Sequence, residues 1–150
     1  MFERGDGGGV ELRLSRDERS LLAGLVAELR ALLDGAPGDP SLRRLFPPAY
    51  DDDDDERAYR DLMGGELLDG RRAALELVAE TVDHDRLSAE EADSWLRALN
   101  DLRLVLGTRL DVHEDTFATE PDLSDPRGHA LAVYAYLSWI QEQLIEALSS

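Results

Sequence analysis

Apolar and polar positions alternate at helical spacing over most of the chain, and one stretch organises the rest. From Ser88 to Leu110, SAEEADSWLRALNDLRLVLGTRL, the residues Ala92, Trp95, Leu96, Leu99, Leu102, Leu106 and Leu110 share one face of a helix. Ser88 and Glu91 have the spacing of a capping box, which satisfies amide donors at a helix start. Leu104 and Val105 fall well outside this stripe at about 100° per residue, so the helix is expected to be covered on more than one side.

The flanking segments supply the cover. Ser15 and Glu18 open a second helix with Leu21, Leu22, Leu25, Val26, Leu29, Leu32 and Leu33 as its stripe, ended by Gly35, Pro37 and Gly38. Asp39-Pro40 predicts a short helical turn through Leu45, and the acidic residues near Asp54 predict a helix to Met63. A helix over 66–83 carries Leu68, Leu75, Val78 and Val82. Asp125-Pro126 starts a last helix to about Leu148, with Val133, Leu137, Ile140, Leu144 and Leu148 on one stripe and Leu131, Tyr134 and Trp139 outside it. No charged side chain occurs from Ala130 to Ile140, which predicts burial or a subunit interface, hence a homodimer. At the other end Val10, Leu12 and Leu14 alternate with Glu11 and Arg13, and Gly5-Asp6-Gly7-Gly8-Gly9 supplies a tight return, so a short β-hairpin is expected.

These elements predict a mainly α fold: a single domain over 1–150, with a hairpin arm over 1–14 and a bundle of five to six helices over 15–150. Composition then narrows function. The 150 residues carry a formal net charge of −17, and all 16 basic residues are Arg. That charge repels nucleic-acid backbones and anionic lipid, so direct nucleic-acid binding is not expected unless an Arg cluster is segregated on one face. With no cysteine, disulfides, thiolate metal sites and thiol nucleophiles are excluded from these residues. The N-terminal stretch lacks the apolar core of a signal peptide and no run approaches a membrane span, so the cytoplasm is the expected compartment.

Arg103 is the most informative candidate for chemistry, because its helical angle falls inside the apolar stripe. A guanidinium there has to be paired, either with a carboxylate of a neighbouring helix or with an anion or peptide carboxylate from outside. Asn100 and Gly107 lie on the same flank. Arg103, Asn100 and Trp95, together with Phe46 and Tyr50 of the segment Leu45-Phe46-Pro47-Pro48-Ala49-Tyr50, are the candidate ligand- or partner-binding residues.

Asp51 to Glu56 is a continuous acidic run without the alternation or glycine of an EF-hand. It suits a solvated loop or a basic partner; as a metal site it would belong to a metal-dependent hydrolase. His84, His113 and His129 are scattered, and no Walker, dinucleotide, G-x-S-x-G or H-E-x-x-H motif is present. No catalytic residue, metal ligand or cofactor is therefore assigned, and the sequence leans away from an enzyme. The leading expectation is an acidic protein-interaction or regulatory module, with a small-anion or peptide-carboxylate sensor around Arg103 as the alternative.

The run Trp95-Leu96-Arg97-Ala98-Leu99-Asn100-Asp101-Leu102-Arg103-Leu104-Val105-Leu106-Gly107-Thr108-Arg109-Leu110 resembles the hallmark of the actinobacterial family DUF2017. The segment from Leu45 to Tyr50 followed by acids, and the S-x-D-E start at Ser15, resemble the same family in the same order. The resemblance implies no established biochemical activity. For some relatives it implies oxidative-stress regulation with a sigma factor through cysteine chemistry, and this chain has no cysteine to carry such a switch.

Overall fold

A computed structural model describes residues 2–5, 8–35, 42, 45, 68–112, 116–117 and 122–149. The predicted hairpin is present and is extended by a third strand. Strands β1 (Phe2–Arg4), β2 (Val10–Leu12) and β3 (Arg86–Leu87) form an antiparallel sheet in that order. Phe2 faces Leu12, and Val10 faces Leu87. Gly8 turns the chain at a φ of 86°, a conformation that L side chains rarely adopt. Gly9 is required for a second reason: a Cβ there would stand 2.7 Å from the Leu87 carbonyl oxygen of β3.

Four helices stand among the described residues: α1 (Arg16–Gly35), α2 (68–81), α3 (Ala89–Leu110) and α4 (Pro126–Ser149). Five to six were expected over the whole chain; the helix over 54–63 and most of the short turn over 39–45 lie outside the described residues, while Leu42 and Leu45 are buried and the Leu45 amide donates to the Leu42 carbonyl at 2.9 Å. The helix starts follow their sequence signals. Ser15 Oγ accepts from the Glu18 amide at 3.1 Å. Both halves of the Ser88–Glu91 capping box form, at 3.1 and 2.8 Å. Asp125 Oδ1 accepts from the Arg127 amide at 3.3 Å. Asp111 ends α3 in the left-handed region, returning its amide to Gly107 and Thr108 carbonyls.

Helix α3 is the central rod that the sequence predicts. It packs against α4 along its length and also meets α1 and β3. Ala92, Trp95, Leu99 and Leu102 are buried on the expected stripe, and Ala98 and Val105 are buried on a second flank, while Leu104 and Leu106 are half-buried. The sheet joins the same core through Phe2, Val10, Leu12 and Leu87, with Phe2 edge-on to Trp95 at 6.2 Å.

One arginine ties the periphery together. Arg19 of α1 donates to the carbonyls of Leu14, Val82, His84 and Leu12 at 2.8 to 3.3 Å, so a single guanidinium caps the C-terminal end of α2 and holds it to β2.

Candidate functional site

The polar groups inside the bundle are where chemistry or specificity has to reside, since each must be satisfied or poised for a ligand. Asp101 of α3 is 2% exposed. Its Oδ1 receives Arg71 Nη1 of α2 at 2.5 Å, and Arg71 Nη2 donates onward to the Leu45 carbonyl at 3.0 Å. The second oxygen, Oδ2, is buried and has no hydrogen-bond partner among the described residues. Burial pushes the Asp101 carboxyl above the usual carboxylate range, against the opposing pull of Arg71.

The arrangement ties the Leu45 carbonyl to α2 and joins α2 to α3. A second tie runs beside it. Trp95 Nε1 donates to Thr81 Oγ1 at 2.8 Å, and the Thr81 hydroxyl donates to the Leu77 carbonyl at 2.7 Å.

Of the residues singled out from sequence, Trp95, Asn100 and Arg103 are among the described residues, all on α3. Trp95 is 0% exposed, its ring in the core and its N–H satisfied by Thr81. Asn100 and Arg103 are half-buried. Arg103 Nε is buried and has no hydrogen-bond partner among the described residues. Phe46, Tyr50 and the run Asp51–Glu56 lie outside the described residues.

Sequence reasoning missed Asp101 and Arg71. The signal was present, because Asp101 stands three residues after Ala98 and four before Val105, on the flank that Val105 already marks as covered.

Two surface features complete the inventory. A groove between α1 and α3 is lined by Leu25, Leu29, Leu32, Leu102 and Leu106, and its charged lining residues are Glu28 and Arg109, not Arg103. The outer side of α4 exposes Trp139, with the half-buried Tyr136 ring 6.3 Å away. Burial and the Glu18 carboxylate beside it push the Tyr136 hydroxyl upward, so it stays protonated. Among the described residues no three of His, Asp and Glu come together in a way that would hold a metal ion, and no helix is long and apolar enough to cross a membrane.

The chain is 35% identical over 134 residues to the oxidative stress regulator AosR of Mycobacterium bovis and to that of Mycobacterium tuberculosis H37Rv, a match covering 75% of this chain and 59% of each relative. It thus spans less than two thirds of the length of these curated relatives. No solved structure matches. The family model described as a domain of unknown function, DUF2017, matches residues 1–148, nearly the whole of the central helix, sheet and bundle described above. The chain belongs to the DUF2017 family.

Proposed function

We propose that this chain is a regulatory module that acts by contacting another protein and performs no chemistry of its own. The observation that carries the reading is the outer side of α4, where Trp139 and Ile145 are 44% and 46% exposed on a helix whose inner side is fully buried. Exposed aromatic and aliphatic side chains on an ordered helix are the usual material of a protein interface. The relatives named as oxidative stress regulators support the regulatory half. Any response to oxidants in this chain has to come from residues other than cysteine, since it has none. The test is a pull-down from a native extract on the immobilised chain, with mass spectrometry of what is retained. A specific protein retained over blank resin is expected, and retention of none sinks the reading.

A second reading, a sensor for a small carboxylate at Arg103, is favoured by the buried Nε that lacks an acceptor. Thermal shifts with short dicarboxylates test it: a midpoint raised for the wild-type chain and unmoved for Arg103→Leu supports this reading.

A further inference from the structure

Among the described residues the exposed large apolar side chains are Phe117 and Leu123, ahead of α4, and Trp139 and Ile145 on it. Helix α4 buries Leu137, Ile140 and Leu144 completely while leaving Trp139 and Ile145 in water. Towards the start of the helix Phe117, itself exposed, stacks on Tyr134 with centroids 5.9 Å apart and planes 15° apart. At about 100° per residue Tyr134 and Ile145 share one edge of the outer side of α4, Trp139 stands on the other edge about 120° round, and Glu142 lies between Trp139 and Ile145.

Beyond its first turn α4 carries charge of one sign. After His129 the only acidic or basic side chains of α4 are Glu142 and Glu146, and Arg127 in its first turn is the helix's single arginine. Glu142 is exposed and sits three residues from both Trp139 and Ile145. Asp111, Asp122 and Asp125, also exposed, lie at the end of α3 and ahead of α4. The whole chain carries −17. A second copy would bring the same carboxylates to the same face, and nucleic acid or anionic lipid would bring further negative charge, so each is opposed electrostatically. A cationic segment with an apolar edge gains on both counts, and its Arg or Lys can lie on the Trp139 ring.

We infer that the outer face of α4 docks a basic amphipathic helix of a protein partner, with Trp139 as its anchor and Glu142 reading its charge. This rests on the protein-contact reading above and names the partner class. The experiment uses the full chain and two labelled synthetic helical peptides with one leucine pattern, one carrying Lys and the other Glu at every polar position. Fluorescence anisotropy is expected to show saturable binding of the Lys peptide, weakened at least tenfold by Trp139→Ala and several-fold by Glu142→Gln or by raised salt, with the Glu peptide not bound.

Trp139 is one of two tryptophans and Trp95 is buried, so a blue shift of the exposed emission on adding unlabelled peptide reports docking at this face. Unchanged circular dichroism and melting of the variants show that the fold survives. Equal binding of both peptides, or binding indifferent to Trp139→Ala, overturns the inference. So does light scattering that finds a dimer dissolved by Trp139→Ala, because the occupant is then a second copy. If the wild-type chain and Trp139→Ala retain the same protein from an extract, the protein-contact reading stands and this face is overturned as its site.

Discussion

Replacing Arg71 by Met removes a charge from the bundle while keeping most of the apolar stem. Asp101 is then left 2% exposed, its Oδ1 without the guanidinium 2.5 Å away and its Oδ2 already lacking a partner among the described residues. Breaking a buried ion pair by removing one member costs about 3–5 kcal/mol, because the remaining charge is uncompensated. The Arg71 side chain is 26% exposed, so water reaches the pair from one side and the expected loss is at the lower end, about 3 kcal/mol at pH 7. For a chain of this length that lowers the melting midpoint by roughly 10 °C.

The pH dependence has a definite sign. Burial already holds the folded carboxyl above its unfolded value, and without Arg71 it rises further. Over the window between those two values the folded state binds a proton that the unfolded state lacks. The variant therefore loses stability as pH rises through the window, and its deficit narrows as pH is lowered through it. A series of urea unfolding curves followed by circular dichroism from neutral to acidic pH measures this. Adding Asp101→Leu should restore most of the loss, since a buried pair replaced by apolar groups is often neutral. A single variant that loses less than about 1 kcal/mol, or a double variant no more stable than the single, refutes the reasoning.

Three further expectations follow from the same geometry. Thr81→Val leaves the Trp95 N–H unsatisfied in the core and should cost about 1–3 kcal/mol in a urea titration, whereas Thr81→Ser should cost less because it keeps the hydroxyl. Gly128→Ala places a Cβ 1.9 Å from the Asp122 carbonyl oxygen, so the turn before α4 must move; a loss of about 3 kcal/mol and faster proteolysis near residues 122–125 are expected. Arg19→Met strips four carbonyls of one shared donor and should destabilise by about 2–3 kcal/mol in thermal melts, with Arg19→Lys recovering only part.

The helices were legible wherever an apolar stripe coincided with a cap. Ser15, Ser88 and Asp125 each mark a start that the structure keeps, and Gly35 closes α1. Strand β3 was not legible, because two residues cannot display a period of two and its formation depends on Val10 and Glu11, far away in sequence. Asp101 escaped notice for a related reason. Helical angle picks out Arg103, which is half-buried with its Nε buried, on the apolar stripe, whereas Asp101 stands on the second flank that the stripe does not mark. A short aspartate on that covered flank cannot reach out to water, so Asp101 is the carboxylate held in the core.

The two polar ties between α2 and α3 explain why an aspartate is kept there. Arg71 meets Asp101 and Thr81 meets Trp95, so the pairing runs antiparallel, with ten residues on one helix set against six on the other. Leucine packs on leucine in several registers, and a bundle held by Leu75, Val78, Leu99 and Leu102 would lose little if α2 slipped by one turn of about 5 Å. Such a slip separates both polar pairs at once, stranding a carboxylate and an indole N–H in the core, and that cost selects one register. Specificity of this kind is measurable apart from stability. In the double variant Arg71→Met/Asp101→Leu, with stability restored, amide exchange along α2 should quicken relative to α3 and α4. Uniform protection in that variant would mean that apolar packing sets the register without help from Asp101.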